Sequence, residues 1–138
     1  MVTQYHIEQY LLSESARQSA PPEPMIKAYT IAKKYEGRLN EWFVLYLADC
    51  FGFAWYRTTS VIFASGSPAA NAQSIPGAMT RLFVHSPKKG EFNEWYAWIH
   101  AFLKIHPFQD GNGRIASILF NWGMNTMDNP IPLPYYEF

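Results

Sequence analysis

The stretch EFNEWYAWIHAFLKIHPFQDGNGRIASILFNWGM, residues 91–124, carries two apolar periodicities separated by a short polar knot. In its first half Phe92, Trp95, Tyr96, Ile99 and either Phe102 or Leu103 recur at helical spacing, which predicts a helix over 91–105 with one apolar face. In its second half Ile115, Ile118, Leu119 and Trp122 repeat the pattern. His106 closes the first helix, Pro107 helps to stop it, and Gly111, Asn112 and Gly113 lead directly into the second. DGNG alone could be a hairpin turn, but its flanks are helical rather than alternating, so the fold is predicted to be mainly α.

Upstream, residues 3–12 predict a short first helix, followed by the polar, proline-rich SESARQSAPPEP (13–24) as a linker or long loop. PMIKAYTIAKKYEG places Met25, Ala28, Tyr29, Ala32 and Tyr35 along one side of a helix that ends at Gly37. NEWFVLYLADCFG predicts another helix, apolar nearly all round and therefore central. Between 56 and 83 the character changes. Thr58, Thr59, Val61, Ile62 and Phe63 favour a strand, SGSP and AANAQ supply turn chemistry, and a second extended piece near Gln73 to Pro76 completes a small β-hairpin. AMTRLFVHS resumes helical spacing with Met79, Leu82 and Phe83, and the DNP and LP dipeptides near 128–134 end regular structure.

The 138 residues match the usual size of one domain, so 1–138 is read as a single unit. Hydrophobic residues at 49% and aromatics at 17% can fill a core, which excludes a disordered chain. Eleven basic and eleven acidic residues cancel without forming a block of either sign, so no nucleic-acid or anionic-membrane surface is predicted. Any anion must be bound locally. Cys50 is alone and forms no intramolecular disulfide. MVTQYHIEQY lacks the basic start and apolar run of a signal peptide, and no window resembles a membrane span. Cytoplasmic residence is the default expectation; an effector exported without a cleaved signal would look the same.

HPFQDGNGR, residues 106–114, is where chemistry concentrates. A glycine-rich loop opening a helix leaves backbone N–H groups unpaired at the positive end of the helix dipole, a natural anion site. Gly111 and Gly113 let the backbone approach a ligand and adopt positive φ, Asn112 can donate from its amide, and Arg114 adds a fork suited to phosphate oxygens. Asp110 would repel a phosphate unless a cation lay between them. Mg²⁺, which is satisfied by one or two carboxylates plus phosphate oxygens, fits that gap. His106 could take a proton from an incoming hydroxyl near neutral pH. Together these parts describe phosphoryl or nucleotidyl transfer to a hydroxyl group.

The nine residues from His106 to Arg114 resemble the signature of the Fic family, HPFx[D/E]GNGRxxR, and the resemblance covers about residues 25–134. It implies a helical bundle with a β-hairpin flap, here within 58–77, and transfer of AMP from ATP to a Ser, Thr or Tyr hydroxyl of a target protein. It further implies His106 as general base, Asp110 as Mg²⁺ ligand, Gly111, Asn112 and Gly113 as anion hole, Arg114 as phosphate contact and Phe108 as a buried anchor. The flap of such proteins aligns the target backbone by strand addition, and Val61, Ile62 and Phe63 are the candidates for that edge. Tyr56-Arg57 resembles a pair common before the flap, read as structural. An antitoxin-like protein is a candidate inhibitor in trans.

The pattern departs at its end. Ser117 stands where the family's second arginine would meet the outer phosphates of ATP, and a neutral hydroxyl does not replace a permanently charged fork. Two other outcomes therefore stay open: a different phosphate transfer, as in kinase-like relatives of the family, or a catalytically weak fold that binds nucleotide or protein. The family's inhibitory pattern [S/T]xxxE[G/N] is not met; the nearest stretch, AKKYEG at 32–37, has Ala at its first position and is read as a plain helix end.

Overall fold

In the computed structural model, which describes residues 2–133, the helices are α1 (Val2–Arg17), α2 (Glu23–Lys34), α3 (Glu41–Asp49), α4 (Ile75–Val84), α5 (Phe92–Ile105) and α6 (Asn112–Gly123). Met1 and residues 134–138 lie outside the described residues, and with them both ends of the unit predicted over 1–138 and the last residue of the 25–134 span. The fold is mainly helical, as the periodicities predict.

The centre is α6. From Arg114 to Gly123 every residue is buried, polar ones included, because α5 and α2 cover it on different sides and α3 also reaches it. A helix buried all round needs close approach somewhere, and Gly123 provides it. A Cβ at that position would run into the indole of Trp95, itself fully buried on α5. Gly123→Ala should therefore overpack the α5–α6 contact and cost roughly 1–3 kcal/mol. Urea unfolding checks this, and a midpoint equal to that of the parent chain would show that Trp95 yields freely.

Several elements differ from their sequence-based expectation. α1 runs through Arg17 instead of stopping near residue 12, because Ile7, Tyr10, Leu11, Glu14 and Ser15 form one inward face across the predicted linker. α2 ends at Lys34, and Tyr35 turns extended to stack on Phe43 at 4.1 Å. Gly37 does not cap that helix; it sits against the Tyr35 ring. α3 starts on an Asn40 side chain that accepts from the Phe43 N–H at 2.9 Å, but it lies at the surface, with Trp42 82% exposed. Uniform apolarity there misled, since α6 holds the central place. On α5 the buried face is Trp95, Trp98, Ile99, Phe102 and Leu103, while Phe92 is partly exposed.

The segment between α3 and α4 is a loop, not the β-hairpin expected over 58–77. Among the described residues it carries one isolated antiparallel bridge, Ile62 to Pro68, closed by Phe63 N–H to Ser67 O at 2.9 Å and Ala69 N–H to Val61 O at 2.9 Å. The ladder stops there for local reasons. On its base, the carbonyls of Thr59 and Ala70 are both taken by Arg57. Beyond it, the Asn71 side chain accepts from Gln73 N–H and starts a 3₁₀ turn (Ala72–Ser74). Pro76 then opens α4, so the extended piece expected near Gln73–Pro76 is helical instead.

Candidate active site

His106 is the C-cap of α5, with φ 54° and ψ 62° in the left-handed region that non-glycine residues rarely occupy. Its own N–H is held by the Phe102 carbonyl at 2.9 Å, and its carbonyl accepts from Arg57 Nε at 2.6 Å. Pro107 follows, whose carbonyl accepts the Arg57 N–H at 2.8 Å. The backbone is thus pinned on both sides of the strained residue. The imidazole is packed edge-on by Phe63, 5.3 Å between ring centres, and its Nδ1 is buried without a hydrogen bond of normal geometry. Burial pushes the His106 pKa below 6.5, and the Arg57 charge adds to that, against opposing contributions from the Leu103 carbonyl and Asp110. The ring is therefore biased to the neutral form that can accept a proton.

Arg57 organises this corner. Buried except for 5% of its surface, it gives Nε to His106 O, Nη1 to Thr59 O at 2.7 Å, and Nη2 to Ala70 O at 2.6 Å and Ile105 O at 3.0 Å. One guanidinium thereby caps the end of α5 and joins both sides of the loop that carries Phe63. Its neighbour Tyr56 donates to Glu41 at 2.7 Å and packs on Phe108. Thr59 adds a side-chain hydrogen bond to Gln109 at 2.6 Å.

Across the turn, Phe108 is fully buried. The Asn112 side chain accepts from the Phe108 N–H at 2.9 Å and donates to the Phe108 carbonyl at 2.8 Å. That amide is occupied within the loop, so what Asn112 can present to an anion is its backbone N–H. Gly111 caps α6 with φ 83°, and a side chain there would press on Phe51 at 3.2 Å. Gly113 is an ordinary helical residue without positive φ, contrary to expectation; its smallness leaves room for Gln18, whose amide nitrogen lies 3.4 Å from where a Cβ would stand.

Asp110 is largely exposed at the start of α6. One carboxylate oxygen accepts the Gly111 N–H at 2.8 Å, and the other lies 3.4 Å from Arg114 Nη2. Arg114 is buried, its guanidinium 4.7 Å over the Phe51 ring, its Nε without a partner. Phe51 was not singled out from the sequence; an aromatic just after a helix gives no local sign of lying beneath a loop 60 residues on. A single exposed carboxylate beside an uncapped helix N-terminus suits a hard cation shared with phosphate oxygens. Among the described residues no three His, Cys, Asp or Glu side chains gather into a cage.

The Fic/DOC family model matches residues 39–124, which contain α3 to α6 and the whole loop. The chain belongs to the Fic/DOC family. It is also similar to a Fido domain-containing protein of Dictyostelium discoideum, 51% identical over 39 residues, which is 28% of this chain and 27% of that relative. The matched part thus spans about a quarter of the curated relative. α1 and α2 lie outside the matched Fic/DOC span.

The loop candidates divide. Ile62 is 69% exposed, and since Val61 and Phe63 pair inward, its backbone groups face the free edge. Phe63 instead covers His106. Ser117 is completely buried under Tyr10, hydroxyl to hydroxyl at 2.5 Å. Glu36 is exposed beside Tyr35, whose carbonyl accepts from Trp122 near the far end of α6. AKKYEG is therefore remote from the loop. Among the described residues no helix is long and apolar enough to cross a membrane.

Proposed function

We propose that this Fic/DOC chain transfers AMP from ATP to a Ser, Thr or Tyr hydroxyl of a target protein. The observation that carries the reading is the placement of a half-buried imidazole, biased to its neutral form, beside the uncapped N-terminus of α6, next to Asp110. The backbone N–H groups at Asn112 and Gly113 orient the α-phosphate at the positive end of the helix. His106 takes the proton of the target hydroxyl, whose oxygen bonds to the α-phosphorus while the bond to pyrophosphate breaks. Asp110 would hold Mg²⁺ against the phosphates, where the ion would offset charge on the transferring and leaving groups. The exposed edge at Ile62 suits an extended target segment, and the Arg57 clamp keeps that edge in register with His106.

Labelling tests it. The chain is incubated with Mg²⁺, a mixture of candidate proteins, and ATP labelled at either the α- or the γ-phosphate. α-label on protein is expected. γ-label would replace this reading with phosphate transfer, which Ser117 in place of the second arginine keeps open. Absence of both labels, with nucleotide binding demonstrated, would leave a Fic fold that binds without transferring.

A pH profile gives a second check. Protonation of His106 stops it acting as base, and burial lowers its pKa from 6.5, so the acid limb is shifted down relative to a free imidazole. The midpoint of the acid limb of kcat/KM is expected below pH 6.5. A midpoint above that value would overturn the assignment of a desolvated His106 as base.

A further inference from the structure

We propose that α1 delivers Arg17, with the Gln18 amide beside it, as the group that binds the outer phosphates of the nucleotide in place of the arginine absent at 117. This rests on the nucleotide reading above and names the source of the second cation.

α1 lies antiparallel along α6. Its Tyr10 hydroxyl meets Ser117 Oγ at 2.5 Å and accepts from Asn121 Nδ2 at 3.3 Å, while Gln18 reaches Gly113. From Tyr10 to Arg17 is seven residues, about 700° of turn, so the two side chains share a bearing to within about 20° and stand about 10 Å apart along the axis. From Ser117 back to Gly111 is six residues, about 9 Å along α6. Arg17 therefore comes level with the first turn of α6.

The charge balance of the site calls for such a group. A nucleoside triphosphate carries more negative charge than Arg114 offsets, and Arg114 is buried and turned to Asp110. Arg57 is fully engaged with four carbonyls. An arginine at 117 would need the space that Tyr10 fills. Arg17 has freedom that these lack: its side chain is 48% exposed and meets the Glu14 carboxylate only at 3.4 Å, through one nitrogen. Glu14, buried on the same face of α1, parks the guanidinium beside the site, and a phosphate with its denser charge and fork-matching oxygens draws it away.

The test is calorimetric titration of the full chain with ATP and with AMP, each with Mg²⁺, for the parent, Arg17→Ala and Arg17→Lys. Arg17→Ala is expected to weaken ATP binding about tenfold, as for loss of one charge-assisted contact, and AMP binding less than about twofold. Arg17→Lys should recover part of the ATP affinity. Gln18→Ala should weaken ATP less than Arg17→Ala does. Arg17→Ala binding ATP as tightly as the parent, or more tightly, would overturn the proposal, the second result marking α1 as a plug. Equal losses for ATP and AMP would also overturn it, as a structural effect. A parent chain that binds neither nucleotide would overturn this inference and the proposed function together; one that binds both, with Arg17→Ala unaffected, would overturn this inference alone.

Discussion

His106→Ala should abolish transfer, lowering the rate by at least the ~10²–10⁴-fold typical of a positioned general base. The fold should survive, because the contacts that hold this corner belong to the backbone: the His106 N–H goes to Phe102 and its carbonyl to Arg57 whatever the side chain. Alanine tolerates the left-handed cap no better than histidine does, so His106→Asn is the matched control, asparagine being at ease there and unable to act as the base. Both variants should unfold within about 1 kcal/mol of the parent. Labelled product from either at more than a tenth of the parent rate would remove His106 from the mechanism.

Arg57→Ala should have the largest effect on stability. It deletes four hydrogen bonds from one buried cation to the carbonyls of Ile105, His106, Thr59 and Ala70, and leaves the end of α5 uncapped. Hydrogen bonds to charged groups contribute about 1.5–3 kcal/mol each, but water can reach part of the emptied space, so a net loss of roughly 3–4 kcal/mol is expected. Arg57→Lys should recover little, since one ammonium cannot serve four carbonyls fanned around a planar fork. Urea unfolding with an unchanged m-value would report this directly. A loss below about 1 kcal/mol would show that the loop and α5 hold together without the clamp.

Arg57 also marks the limit of sequence reading. Three of its four carbonyl partners are 13 to 49 residues away, so nothing in its neighbourhood predicts that it joins a loop to a helix end. A structural role for Tyr56-Arg57 was legible only through family resemblance. The β-hairpin was a reasonable expectation from Val61, Ile62 and Phe63, but strand propensity is realised only where backbone groups are free to pair. Arg57 and Asn71 take those groups first. Likewise the apolar run of α3 carried no sign that α6, with fewer apolar residues, would be the helix enclosed on all sides.

What neighbouring residues control was readable directly. Helical spacing on either side of HPFQDGNGR, the stop at Pro107 and the left-handed start at Gly111 follow from sterics and hydrogen bonding within a few residues, and they locate the site. Its chemical tuning came from contacts that only folding brings about: Phe63 over the imidazole, Phe51 under Arg114, and α1 laid along α6 so that Tyr10 occupies the space above Ser117, 107 residues away. Burial and charge depend on everything that surrounds a group in three dimensions, whereas spacing and backbone sterics depend on its neighbours along the chain.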